Sequence, residues 1–167
     1  MKIATTSLEG VLLVTLDIFY DKRGKFIETY NEQAYISRAM KKFVQDDLSY
    51  SKARVLRGIH GDSINAKLVS CVHGRILLRV YDCRYRPTFG DSAEFELVPG
   101  IQVYVPPGFG NAYLALDDSI FCYKQSAYYD RAKQFTYRYD DPRMLQAPWP
   151  VVNPILSERD DKGPFSE

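Results

Sequence analysis

The chain has 167 residues with 22 basic and 21 acidic side chains, a formal charge of +1, and a length that suits one domain, 1–167, around one core. A hydrophobic fraction of 46% with 14% aromatic residues excludes a disordered chain, and the near-neutral charge argues against electrostatic binding to long nucleic acids. His60 and His73 are the only histidines, too few for a three-histidine metal site, and with no GxGxxG or Walker loop in the sequence neither a metal nor another cofactor is expected.

In chain order, the first apolar run, 11–16, sits between Glu9 and Asp17 and lacks the features of a secretory leader. No run reaches the roughly 18 apolar residues that span a bilayer, so a soluble, cytoplasmic protein with no membrane partner is expected. A strand is predicted over 11–15, and 31–40 reads as a short helix with Asn31 as its N-cap. Further strands are predicted over 67–72, 75–81, 93–97, 102–105, 112–116 and 120–126, each bounded by turn residues such as His73-Gly74, Pro99-Gly100 and Pro106-Pro107-Gly108. Within 75–81, Leu77, Arg79 and Tyr81 form the more polar face, predicted to line a wet cavity or the outer surface. The tail from Asp140 carries Pro142, Pro148, Pro150, Pro154 and Pro164, which exclude a long helix, so irregular chain wrapping the barrel is expected, with Trp149 as an anchor. Cys71, Cys83 and Cys122 form no CxxC pair and read as reduced thiols. Short strands without alternating helices predict an all-β sandwich or barrel.

Several segments then fall into a recognisable order: Asp21-Lys-Arg-Gly-Lys-Phe-Ile-Glu28, Val55-Leu-Arg-Gly-Ile-His60, Ala66-Lys-Leu-Val69, Val105-Pro-Pro-Gly-Phe109, Tyr123-Lys124 through Tyr128-Tyr129, and Leu156-Ser-Glu-Arg-Asp160. Each is weak alone. Together the chain resembles the dTDP-4-dehydrorhamnose 3,5-epimerase family. The resemblance implies an all-β, cupin-type jelly-roll barrel with a few short helices, usually a homodimer. The implied activity is metal-free epimerisation of a nucleotide-diphospho-4-keto sugar at carbon 3, carbon 5 or both, in deoxysugar or heptose biosynthesis for surface polysaccharide.

A lone histidine is more often structural than catalytic, although histidine as a residue type titrates near neutral pH and suits a general base. The resemblance makes His60 the base and Asp160 its carboxylate partner. It makes Lys67 the cation that stabilises the enolate, since charge growing on a carbonyl oxygen is best met by a preorganised donor. Inversion needs an acid on the opposite face of the sugar, and the resemblance offers Tyr128 or Tyr129. Counting from Lys124 favours Tyr129, and on an extended strand only one of two adjacent side chains reaches the sugar.

For nucleotide and sugar binding the resemblance implies Arg23, Phe26, Glu28, Gln45, Asp47, Arg57 and Asn111. Phe26 and Glu28 would approach the base, often from a partner subunit, and Arg23 and Arg57 would face the diphosphate. Three features depart from the family pattern. The loop from His60 to Lys67 is short, Asn111 stands where relatives carry a histidine, and Asp47 replaces an asparagine. These departures point to a GDP-linked 4-keto heptose as well as a dTDP-linked sugar. A 3,4-ketoisomerase of the same fold and a non-catalytic sugar-nucleotide binding module are the competing readings.

Overall fold

The computed structural model describes residues 1–38 and 40–166; Ala39, inside the predicted helical segment, and Glu167, the last position of the predicted domain, lie outside them. In chain order the elements are β1 (Lys2–Thr5), β2 (Leu12–Thr15), β3 (Ile18–Asp21), β4 (Gly24–Ile27), α1 (Glu32–Ile36), β5 (Gln45–Ser51), β6 (Leu56–Asp62), β7 (Lys67–His73) and β8 (Ile76–Asp82). They continue with β9 (Ser92–Leu97), β10 (Ile101–Val105), β11 (Phe109–Ala115), β12 (Ser119–Gln125), β13 (Gln134–Thr136) and α2 (Glu158–Asp161). Two antiparallel sheets face each other, ordered β1-β2-β10-β7-β12-β5 and β13-β6-β11-β8-β9, with β3-β4 as a separate hairpin. This is the all-β jelly-roll sandwich of the cupin type.

Strand parity explains the core. Val69 and Cys71 from β7, Ile76, Leu78 and Val80 from β8, Val103 and Val105 from β10, and Phe121 from β12 meet between the sheets. Each fully enclosed aliphatic side chain there contributes roughly 1.5–3 kcal/mol. The alternate residues serve two outer layers. Val14, Leu68 and Tyr104 pack under Tyr35 of α1 with Met40 and Phe43. Ile59, Tyr81, Ala112 and Leu114 pack under Met144 and Trp149 of the tail.

That last layer corrects the expectation for β8. Its Leu77, Arg79 and Tyr81 face is not wet but lies beneath the tail, and Arg79 is only 6% exposed. Its guanidinium donates to Glu94 Oε2 at 2.7 Å, to the carbonyls of Ala147 and Pro148 at 2.7 and 3.1 Å, and stacks 4.2 Å from the Trp149 ring. A cation reading as solvent-facing in the sequence is a buried fastener for the tail, with Trp149 on the other side of the joint.

Other expectations are adjusted more modestly. Asn31 does cap α1, its Oδ1 accepting from Ala34 N at 3.3 Å, but the helix stops at Ile36 with Ser37 as C-cap. The tail folds one short helix, α2, at Glu158–Asp161, where Ser157 supplies the N-cap. The strands β1, β3, β4, β5, β6 and β13 were not predicted. Among the described residues no helix is long and apolar enough to cross a membrane.

Candidate active site

The inward parity of β5, β7, β11 and β12 turns polar at one end of the sandwich. Ser49, Lys67, Asn111, Tyr113 and Tyr123 all lie on the buried face there and surround a cavity of about 670 Å³ including its open mouth. β6 completes it by an irregularity. From His60 to Arg57 it advances three residues while β11 advances two, from Asn111 to Tyr113, so β6 carries one extra residue. The bulge brings Arg57 and His60 to the same cavity, whereas in a regular strand they would face opposite ways. Gly58 makes it possible: its φ of +116° is in the left-handed region, and a Cβ would lie 2.5 Å from the Asn111 carbonyl oxygen. Next to His60, a Cβ on Gly61 would collide with the Phe135 ring of β13.

His60 Nε2 is buried, makes no aligned hydrogen bond, and lies 2.7 Å from Asp160 Oδ1. Asp160 is 2% exposed. Its Oδ1 also accepts from Gly58 N at 3.2 Å, and its Oδ2 accepts from Ser157 Oγ at 2.7 Å. Burial works to raise the Asp160 carboxyl, but the contacts with His60, Ser157 and the Gly58 amide outweigh it and hold the group below its ordinary value. Asp160 therefore stays ionised beside the imidazole.

Lys67 Nζ faces the cavity from β7, 3.4 Å from Asn111 Oδ1 and 5.8 Å from the Tyr123 ring centre. Burial lowers its pKa to about 8, opposed by Asp62 and Asp47 and assisted by Arg159. At neutral pH the ammonium is mostly retained, in a cavity that Arg57 and Arg159 also line. Arg57 Nε donates to Ser51 Oγ at 3.2 Å, and Ser51 Oγ lies 2.9 Å from Tyr113 Oη.

The structure thus brings together His60, Asp160, Lys67, Asn111 and Arg57. Tyr128 and Tyr129 are 77% and 50% exposed and do not line the cavity, although Tyr129 is near enough to Tyr123 to act on it electrostatically. Gln45 and Asp47 sit on the inner face of β5 but bond to each other, Gln45 Nε2 donating to both Asp47 oxygens at 3.2 and 3.0 Å. Arg23, Phe26 and Glu28 stand away from this cavity: Arg23 is paired with Asp21 on the β3-β4 hairpin, and the Phe26 ring is exposed. The hairpin that carries Arg23 and Phe26 belongs to neither large sheet, and none of the three lines the cavity.

Sequence reasoning did not single out Ser49, Tyr113, Phe121, Tyr123, Gln134 and Arg159, all of which line the cavity. Parity could have found one of them: Tyr113 follows the predicted Asn111 by two residues on β11. Burial pushes the Tyr123 phenol up to about 12, reinforced by Asp47, Tyr113 and Tyr129.

Residues 5–167 match the family model described as dTDP-4-dehydrorhamnose 3,5-epimerase. The chain belongs to the dTDP-4-dehydrorhamnose 3,5-epimerase family. It is 33% identical over 176 residues to the 3,5-epimerase of Shigella flexneri, covering 98% of this chain and 94% of that protein. It is 33% identical over 170 residues to the dTDP-4-dehydrorhamnose 3-epimerase of Streptomyces niveus, covering 96% of this chain and 81% of the other. Among solved structures, the Legionella pneumophila 3,5-epimerase in complex with dTDP-4-keto-L-rhamnose superposes with a TM-score of 0.88 at 31% identity, covering 95% of this chain and 89% of that one. As a member of this epimerase family, the chain is an isomerase with the cupin barrel that the sequence resemblance implied.

Proposed function

We propose that the chain epimerises a dTDP-linked 4-keto-6-deoxy sugar, at carbon 3 or at carbons 3 and 5, in deoxysugar biosynthesis for surface polysaccharide. The observation that carries this reading is the convergence of His60, backed by Asp160, and Lys67 on one cavity, in a chain of this family. His60 takes the proton from the carbon beside the ketone; the electron pair left behind moves onto the carbonyl oxygen. Asp160 stabilises the imidazolium, and Lys67 meets the oxyanion, with Asn111 holding the ammonium in place. A tyrosine of the 126–130 loop, Tyr129 ahead of Tyr128, delivers a proton to the opposite face of the same carbon. The phenolate regains its proton, and the imidazolium loses one, to solvent. Arg57 and Arg159 at the rim face the diphosphate.

The proposal includes a single-domain homodimer working in the cytoplasm. Arg23 and Phe26 lie on the β3-β4 hairpin and Glu28 follows it; none lines the cavity of its own chain, and Phe19, Tyr20 and Phe26 are exposed, so they serve the nucleotide of a second copy. The relatives described above are named as epimerases, which favours this reading over a ketoisomerase or a binding module. Incubation in deuterium oxide with dTDP-linked and, separately, GDP-linked 4-keto sugars tests it. Deuterium at carbon 3 or 5 of an inverted dTDP-sugar is the expected result. Turnover of only the GDP-heptose would move the substrate assignment, and no exchange with either sugar would overturn the epimerase reading.

A further inference from the structure

Asn65 occupies the short connection between β6 and β7, does not line the cavity, and is only 3% exposed. Its amide is nevertheless fully used. Nδ2 donates to Gln125 Oε1 at 2.7 Å and to the Ala127 carbonyl at 3.1 Å. Oδ1 accepts from Ser126 N at 2.8 Å, Ser126 Oγ at 3.3 Å and Ala127 N at 3.1 Å. One buried side chain thus pins the backbone immediately before Tyr128. Asn65 is itself fixed from the His60 strand, since Asp62 Oδ1 accepts from Asn65 N at 2.9 Å.

A second anchor holds the other side of Tyr128. Tyr129 N donates to Gln45 Oε1 at 2.9 Å. The two anchors are joined through Asp47, whose Oδ2 accepts from Gln125 Nε2 at 2.6 Å and from Gln45 Nε2 at 3.0 Å. A carboxylate suits this junction because it is acceptor-only at both oxygens and meets two amide NH2 groups without a clash of donors. An asparagine in its place would offer one oxygen fewer. Asp47 therefore faces inward to this network with both oxygens engaged.

We propose that Asn65, Gln125, Asp47 and Gln45 are positioning residues for the 126–130 loop, holding it so that its tyrosine returns the proton to the enolate. The inference rests on the epimerase reading above. Its consequence is specific to one half-reaction. Proton removal by His60 does not involve the loop. An enolate with a misplaced acid is reprotonated by the imidazolium on the original face, after that imidazolium has exchanged with solvent.

The test is the ratio of solvent exchange with retained configuration to net inversion, measured by NMR in deuterium oxide on the dTDP-linked 4-keto sugar. Asn65→Ala is expected to raise that ratio about tenfold or more, because a small displacement of an acid is costly to its step alone. Gln45→Ala, on the half-buried edge strand, removes the second anchor and its bonds to Asp47 but leaves every Asn65 contact in place, and should raise it too; it decides the question alone if Asn65→Ala fails to fold. Tyr129→Phe gives the reference signature. Equal falls in exchange and inversion, or an unchanged ratio in the folded variants, would overturn the positioning role. Wild-type protein that neither exchanges nor inverts would instead overturn the epimerase reading.

Discussion

On the His60 side of the cavity the groups around the imidazole are fixed by the sandwich and its tail, whereas Tyr128 and Tyr129 stand on an exposed loop held by amides. The Asp160 carboxylate is set by a helix N-cap, a backbone amide and a β-bulge. The loop has anchors at Ser126, Ala127 and Tyr129, but its two phenols remain open to solvent. The difference teaches how labour is divided in the proposed reaction: removal of the proton is built into rigid structure, and its return depends on a segment that has to be held. Variants on the two sides should fail in different ways.

The largest effect is expected from His60→Asn, which removes the base while keeping a polar side chain of moderate size. Exchange and inversion should fall together, by about 10³-fold or more. Retention of either would mean that the rigid side does not carry proton removal. Next is Tyr129→Phe, expected to cut inversion by on the order of 10²-fold while exchange with retention persists. Tyr128→Phe should stay near wild type; the reverse pattern would move the acid to Tyr128 and leave the division of labour intact.

Asp160→Asn is expected to lower exchange and inversion in parallel by on the order of 10²-fold, since the amide cannot balance the imidazolium. It also has a signature in acid. The folded carboxyl lies below its unfolded value, so its contribution to stability is present above about pH 4 and is lost as pH falls through the lowered folded value. Wild-type protein should therefore lose more stability between neutral and acid pH than Asp160→Asn. Denaturant melts at several pH values check this.

How much of this was readable beforehand depended on the physics of each segment. β7, β8, β10 and β12 announced themselves because they are apolar on at least one face. β5 and β6 did not: Gln-Asp-Asp-Leu-Ser-Tyr-Ser and Leu-Arg-Gly-Ile-His-Gly-Asp are poor in strand formers, and they are strands because their neighbours pair with them around a polar cavity. The segments richest in site residues were therefore the least visible as structure. Their chemistry was visible only through the order of family motifs, which paired His60 with Asp160 across the chain. The bulge that aligns Arg57 with His60 has a sequence trace in Gly58, but a glycine alone does not say where its strand shifts register. The buried face of β8 was missed because the partner covering Arg79 is an irregular tail with no pattern of its own.

The smallest effect expected is on stability, and it sharpens the comparison from the rigid side. Lys67 is held at a pKa of about 8 by burial, against its ordinary 10.5, so below pH 8 the folded state carries the cost of an enclosed ammonium that the unfolded state does not. Between about 8 and 10.5 the folded chain sheds this proton before the unfolded one, and stability should rise with pH across that window on this account. Activity should move the other way, falling above pH 8 as the enolate loses its cation. Lys67→Met fills similar space without the charge. At pH 7 it should stabilise the fold by roughly 1–3 kcal/mol, a rise of about 2–4 °C in Tm per kcal/mol, while lowering turnover on the order of 10²-fold. The stability gain should shrink as the comparison is repeated at higher pH, because the wild-type lysine is then neutral in both states. A Lys67→Met protein less stable than wild type at pH 7 would show that the ammonium contributes to folding, and the rigid side would then not be strained for function at that residue.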